Sequence, residues 1–529
     1  MRILLVNPYY PISETPSPPL GLAFLAAVLE EAGVEVKILD LVVFPYSKEM
    51  LQSVLDDFSP HMVGITCVTM TFDHAIQVIK DAKSIEPHIL TVMGGPHATF
   101  CDRETLETFP ELDMIVLGEG EETIVELARE AEKGHEWAKI EGLVYRNGSE
   151  IVSTGFRRPI ADVDSLPVPA RHLIPLGRYR ALSMPISMTT SRGCPFKCIF
   201  CVGRKMVGSR VRYRNPQAVV DEMAYLNTLN FHQINLADDL FTANKKHCLA
   251  VCNEIIDRNL KIEWTSFGRV DTVSMEILTK MEEAGCHAIS FGVESANAAI
   301  LKTIRKGITT DQVISAVKMC KDAGIMAHIS FILGLPGETP ETLKETVDFG
   351  ERLKELGAYH GFHLLAPFPG TEVRQESDKY GIKILTDDWT QYHANRAIVE
   401  TSSVSQKMLD DTVMEWEREC NEWLTKMQAS MKKGEATEEE SLQVNRLEQT
   451  VLIYDLMMGR VLEEKGFWKN KDKTDSGHAL KKLINNIEGS IDYTQEQISE
   501  TLNFSVEQGY LKCKEKKDQI RWEWVDFFR

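Results

Sequence analysis

The sequence is short of positive charge. Over 529 residues it carries 59 Lys and Arg against 78 Asp and Glu, a formal net charge of −19. A general nucleic-acid binder needs basic surface to displace the counterions of a polyanion, and this balance argues against that class. Long apolar runs are missing as well, since no stretch approaches the ~18 residues of a membrane span. The opening Met1-Arg2-Ile3-Leu4-Leu5-Val6-Asn7-Pro8 is too short, and too soon broken by proline, to read as a signal peptide. The 11 cysteines form no dense framework. Their scatter suits reduced thiols in a cytoplasmic protein. What is present is a 43% hydrophobic fraction, enough for several cores, in a chain long enough for three domains.

One cysteine group breaks the scatter. In Thr190-Ser191-Arg192-Gly193-Cys194-Pro195-Phe196-Lys197-Cys198-Ile199-Phe200-Cys201 the spacing is C-x3-C-x2-C, with an aromatic before the last thiol. A four-iron cluster needs one ligand per iron, so three close thiolates leave one iron open for chemistry. A structural zinc site asks for a fourth Cys or His nearby. The next ones, His232, His247 and Cys248, lie too far along for a zinc knuckle. The stretch resembles the cluster loop of the radical S-adenosylmethionine (SAM) superfamily. The resemblance implies a [4Fe-4S] cluster on Cys194, Cys198 and Cys201, whose open iron chelates the amino and carboxylate groups of SAM.

Residues 1–150 alternate strand and helix, with strands over 2–6, 34–41, 62–68, 89–93 and 113–117. The pattern implies an α/β, Rossmann-like doubly wound sheet, which binds ligands at the carboxyl ends of its strands. There stand Thr66-Cys67-Val68-Thr69, Gly94-Gly95-Pro96-His97 and Gly118-Glu119-Gly120. Glycines let a backbone approach a large flat ligand closely. Together with Pro18-Pro19-Leu20-Gly21-Leu22, these strand ends resemble the cobalamin-binding domain of the cobalamin-dependent radical SAM enzymes. The resemblance places Thr66, Thr69, Gly94, Gly95, His97, Gly118, Glu119 and Gly120 around cobalamin. For His97 a role in the turn is the alternative. The Asp-x-His-x-x-Gly by which some cobalamin proteins ligate cobalt is absent. Ser59-Pro60-His61-Met62-Val63-Gly64 has Ser in place of Asp, so cobalamin is expected base-off, with no histidine ligand.

Residues 151–185 carry five prolines and read as an extended linker. From 186 to 375 six strands, over 186–190, 233–237, 263–267, 287–292, 327–333 and 359–365, alternate with helices. They predict a partial (β/α)6 barrel with active groups at the strand C-termini. The resemblance assigns Phe200, Asp238, Arg269, Glu294, Ser295, Gly334 and Pro367 to SAM. Glu294 and Ser295 would reach its ribose and methionine part, Arg269 its carboxylate, and the Gly334–Glu338 loop its adenine. For Glu294 the competing role is a helix cap near Ala296; for Asp239 and Glu338 it is likewise an N-cap. Cys248 and Cys252 read as inert buried thiols.

Residues 376–529 are expected to be mostly helical, with helices over 404–430 and 441–464 and a winged-helix flavour at the end that lacks a basic face. The family resemblance implies methylation of an unactivated carbon of a small molecule, by a 5′-deoxyadenosyl radical and methylcobalamin. An electron donor such as flavodoxin or ferredoxin would be a partner. Oxidative ring formation, as in the anaerobic porphyrin-ring cyclases, is the alternative within the family; a cluster-based sensor is the alternative outside it.

Overall fold

The computed structural model describes residues 1–10, 17–231, 233–469, 476–516 and 519–527. Its first sheet contains β1 (Arg2–Asn7), β2 (Glu35–Asp40), β3 (Met62–Thr66), β4 (Leu90–Gly94) and β5 (Met114–Val116). These five are parallel and ordered β2-β1-β3-β4-β5, a doubly wound arrangement. Ile3, Leu4, Leu5 and Val6 are all buried, as a strand covered by helices on both faces must be. Two strands were not anticipated. β6 (Leu143–Asn147) and β7 (Glu150–Ser153) add an antiparallel edge, joined through Gly148 at φ +64°. A glycine with positive φ in a two-residue loop suits the twist of a hairpin. The sheet therefore extends beyond the expected boundary at residue 150.

In the second sheet β8 (Ile186–Met188) gives way to a small antiparallel pair, β9 (Ser191–Arg192) and β10 (Arg212–Tyr213). It continues with β11 (Ile234–Leu236), β12 (Trp264–Gly268), β13 (Cys286–Glu294), β14 (Met326–Leu333) and β15 (Tyr359–Leu364). The order β8-β11-β12-β13-β14-β15 is parallel throughout and matches the expected six-stranded partial barrel. Each crossover helix starts on a side chain that accepts a backbone N–H: Asn215, Asn244, Ser274, Thr309 and Thr339. Such caps satisfy donors that a helix cannot satisfy itself.

Beyond the barrel, β16 (Lys383–Ile384) and β17 (Val399–Glu400) pair. Helices Gln406–Lys433 and Glu438–Met458 then lead to a compact end unit. There β18 (Phe467–Lys469), helices Ser476–Ile487 and Gln495–Glu507, and the hairpin β19 (Leu511–Lys516) and β20 (Gln519–Trp524) follow in winged-helix order. Helix Gln495–Glu507 carries Glu496, Glu500 and Glu507 and no Lys or Arg. Arg178, in the linker, ties the unit to the first domain: it donates to Asp526 at 2.7 Å and to the Val43 carbonyl at 2.9 Å. No described helix is long and apolar enough to cross a membrane.

Candidate active site at the junction of the two sheets

The carboxyl ends of both sheets line one cavity of about 350 Å³. Thr66, Gly94, Gly95, Gly118, Glu119 and Gly120 come from the first sheet; Thr189, Ser191, Arg192, Ala237 and Asp239 come from the second. A Cβ built on Gly21 would meet nothing within 4 Å, and one on Gly118 would meet only Met206 and Phe156, at 3.8 Å. Side chains at these positions would occupy the space a flat ligand needs. Leu22, Leu25, Ile65, Val92, Val116 and Ile124 make the wall apolar. These residues fit a large, partly apolar cofactor against the first sheet.

Gly95 is glycine for a different reason. Its φ is +97°, and a Cβ there would lie 2.6 Å from the Cys67 carbonyl oxygen. It fixes the turn into helix Pro96–Phe100, and that turn sends His97 away from the cavity. His97 is buried, its Nδ1 3.3 Å from Thr69 Oγ1 and its ring packed on Phe72 and Trp389 at 4.3 and 5.0 Å. Burial and the nearby Arg374 charge push its pKa down to about 4. His97 and Thr69 pack together inside the first domain and do not line the cavity. His61 sits at the start of β3, the far end of the sheet, where Nδ1 accepts the Arg2 N–H at 3.0 Å.

Glu119 lines the cavity, but its carboxylate is engaged. It accepts from Arg212 at 2.7 and 2.8 Å and from the Ile160 N–H at 2.9 Å. Arg192 joins the group through Glu121 at 2.7 Å. This buried network bolts the first domain, the linker and the cluster loop together across the cavity rim.

Cys194, Cys198 and Cys201 line a second, smaller cavity of about 290 Å³ with Phe196, Lys197 and Arg204. All three thiols are free. Among the described residues no three Cys, His, Asp or Glu side chains converge closely enough for a single ion. Three thiols lining one cavity suit the separate corners of a cubane. Of the alternative ligands, His232 lies outside the described residues. His247 is buried against Tyr213 at 4.8 Å and donates to or accepts from Thr190 Oγ1 at 3.3 Å. Cys248 and Cys252 lie in the core.

The barrel mouth rearranges several expected SAM contacts. Asp238 is buried, and both its oxygens are engaged: Oδ1 accepts the Thr190 N–H, and Oδ2 accepts the Thr190 and Ser191 hydroxyls, each at 2.6 Å. It clasps the cluster loop and presents nothing to a ligand. Ser295 is fully buried against Thr346 and accepts the Asn297 N–H at 3.1 Å. Arg269 grips Asp271 at 2.9 Å, donates to the Lys306 carbonyl at 2.7 Å and lies 3.7 Å over the Phe196 ring. It packs against the cluster loop through Phe196, with its guanidinium engaged by Asp271 and the Lys306 carbonyl. These three were assigned from strand position, which does not reveal which way a side chain turns.

Glu294 behaves differently. It ends β13 at φ +71°, a left-handed conformation that costs a non-glycine residue energy and often marks a functional position. Its Oε1 takes Lys306 Nζ at 2.8 Å. The competing cap role fails, because helix Ala298–Thr303 is capped by Asn297. Lys306 was missed; nothing in Arg305-Lys306-Gly307 distinguishes it until the fold brings it to Glu294. The Gly334 N–H donates to the Glu338 carboxylate, whose other oxygen, Oε1, is buried without a partner; burial pushes this acid up to about 7. Glu338 caps nothing, since Thr339 caps helix Pro340–Glu355. The Pro367 carbonyl accepts from Arg374 at 3.2 Å, and Phe200 is half-buried beside the loop.

Residues 13–128 match the family model described as a B12 binding domain, and residues 188–350 match that of the Radical SAM superfamily. An "uncharacterized methyltransferase" of Pyrococcus horikoshii is 37% identical over 399 residues, 74% of this chain and 86% of that protein. The anaerobic magnesium-protoporphyrin IX monomethyl ester cyclase of Cereibacter sphaeroides is 33% identical, over 78% of this chain and 69% of the cyclase. Among solved structures, the cobalamin-dependent S-adenosylmethionine radical enzyme OxsB superposes with a TM-score of 0.69 at 18% identity. That match covers 96% of this chain and 81% of OxsB, and it shows the shared fold.

Proposed function

The chain belongs to the cobalamin-dependent radical SAM enzymes, and on that premise we propose that it methylates an unactivated carbon of a small molecule. The observation that carries this reading is the single cavity lined by both sheet ends beside the three free thiols. In this reading Cys194, Cys198 and Cys201 hold a [4Fe-4S] cluster, and the barrel mouth, with Glu294 foremost, holds SAM. Gly94, Gly118 and Gly120 leave room for cobalamin, read as base-off, and no histidine lines the cavity among the described residues. When bound, the cluster and SAM supply a carbon-centred radical oxidant and cobalamin carries a methyl group.

The protein's part is orientation and enclosure. Lys306 holds one oxygen of Glu294 and leaves the other free to accept a ribose hydroxyl. The Glu119–Arg212 and Glu121–Arg192 pairs keep the two cofactor-facing sheets at a fixed separation. The apolar wall of the first sheet would exclude water from a cofactor held in the cavity. An acidic one-electron carrier of the flavodoxin or ferredoxin type would reduce the cluster, and the cytoplasm is the compartment that keeps such thiols reduced.

Anaerobic incubation of reconstituted protein with cobalamin, candidate metabolites and SAM deuterated in its methyl group tests the reading. Deuterated methyl in a product supports it. Formation of 5′-deoxyadenosine with a cyclised or oxidised product favours the ring-forming chemistry of the cyclase relative. No SAM consumption with any of the candidates defeats both.

A further inference from the structure

The two adjacent carboxylates that close β11 divide their work. Asp238 points inward and takes three hydrogen bonds from Thr190 and Ser191. Asp239 points outward, exposed to the shared cavity, and its Oδ2 accepts the Gly193 N–H at 3.0 Å. Gly193 immediately precedes the first cluster thiol and has φ +113°, so this bond fixes a backbone bend that only glycine makes readily. The other oxygen of Asp239 faces the last thiol. A Cβ built on Gly203 would lie 3.2 Å from Asp239 Oδ1 and 3.5 Å from Cys201 Sγ, so the carboxylate and the sulfur flank the same side of Gly203. The Gly203 N–H completes the corner by donating to Cys201 Sγ at 3.3 Å.

The opposite side of the loop carries two ion pairs, Arg269 with Asp271 and Lys306 with Glu294. Arg269 lies over Phe196, and its NH2 is hydrogen-bonded to the carbonyl of Lys306, whose ammonium is held by Glu294. The three thiols thus sit between one carboxylate outside any described ion pair, beside Cys201, and two cation–carboxylate pairs, Arg269–Asp271 and Lys306–Glu294, on the Cys198 side.

We propose that Asp239 is a positioning residue that holds the first bend of the cluster loop and, through its charge beside Cys201, lowers the reduction potential of the bound cluster. Adding an electron to a cluster carrying three thiolates raises its negative charge, and a neighbouring carboxylate opposes that step. Neutralising the carboxylate makes reduction easier. The inference rests on the three thiols holding an iron–sulfur cluster.

The test is a redox titration of reconstituted protein with titanium(III) citrate, followed by paramagnetic resonance, without SAM or substrate. Omitting both separates this role from any contact of Asp239 with substrate in the cavity. Asp239→Asn keeps an oxygen acceptor for Gly193 and removes the charge. It should retain full iron, and at a fixed potential its ratio of reduced to oxidised cluster should rise about three- to tenfold; tenfold corresponds to 59 mV for one electron. A titration curve superimposable on that of the parent protein overturns the electrostatic role. Asp239→Ala removes the acceptor too, and should lose iron on gel filtration faster than Asp239→Asn. Equal retention by both variants overturns the positioning role. A parent protein that binds no iron defeats the cluster reading itself, before either variant is compared.

Discussion

The two sheets share a cavity and furnish it in opposite ways. The first domain contributes glycines and an apolar wall: a Cβ on Gly21 would meet nothing, and Leu22, Leu25, Ile65, Val92, Val116 and Ile124 form the surface behind it. The barrel side contributes polar and charged side chains held by partners, as Arg192 is by Glu121 and Asp239 by the Gly193 N–H. A site for a large preformed ligand is made by leaving side chains out. A site that must orient reacting groups is made by adding side chains and fixing each one.

That difference decided what could be read beforehand. Glycines at strand ends and thiols at C-x3-C-x2-C are visible as residue types, so the residues on both sides of the site were legible, as were the doubly wound class of the first sheet and the six barrel strands. Charged contacts were not. Asp238, Ser295 and Arg269 stand at strand ends, but Asp238 and Arg269 turn into the cluster loop's support and Ser295 turns into the packing against Thr346 and Asn297. Lys306 reaches Glu294 across 12 residues and a helix, and no local pattern encodes that meeting. The β6–β7 hairpin was overlooked because Asn147-Gly148-Ser149 lies where the strand–helix alternation had ended.

The sharpest test of the comparison removes a thiol. Cys194→Ala, Cys198→Ala or Cys201→Ala should each abolish the roughly four irons and four sulfides that a cubane brings to the chain. Cys248→Ala, buried in the core away from the loop, should keep them. Iron and sulfide analysis after anaerobic reconstitution decides, and retained iron in any of the first three breaks the assignment.

The next test sets the two kinds of fixing against each other at the barrel mouth. Lys306→Met strands the Glu294 carboxylate in a buried place; breaking such a pair from one side costs roughly 3–5 kcal/mol, so the melting temperature should fall markedly. Glu294→Gln keeps an acceptor and should cost less stability. It should weaken SAM binding by one to two orders of magnitude, since hydrogen bonds to a charged group contribute roughly 1.5–3 kcal/mol each. Titrating SAM into both reconstituted variants, beside their melts, checks the pair. Unchanged SAM affinity in Glu294→Gln removes that residue from the site.

On the first sheet, two glycines should part company. Gly21→Leu projects into open cavity from a helical position and should leave the melting temperature unchanged while blocking cobalamin retention. Gly95→Ala drives a methyl into the Cys67 backbone at φ +97° and should destabilise the fold instead. If Gly21→Leu retains cobalamin as the parent does, the cavity is not where the cofactor lies.

The smallest effect belongs to His97, where the first domain meets the segment beyond the barrel. Burial, aided by Arg374, lowers its pKa from 6.5 to about 4. The unfolded chain therefore takes up a proton near pH 6.5 that the folded chain refuses until about pH 4, and stability drains away as pH falls through that window. Each pH unit inside it costs about 1.4 kcal/mol, so moving from pH 7 to pH 5 should remove about 2 kcal/mol on account of this residue. Asp40 and Glu338 act in the opposite sense. Burial raises them to about 6 and about 7, so their folded forms hold protons and gain stability as pH falls. The parent protein should consequently show a shallow net slope, and the histidine term appears only by difference. His97→Gln keeps a polar partner for Thr69 and cannot titrate. Its melting temperature should fall below that of the parent at pH 7 and close the gap, or overtake, at pH 5. Parallel curves for the two proteins would mean that His97 is reached by solvent, and that the packing of Phe72 and Trp389 around it does not seal this edge of the first domain.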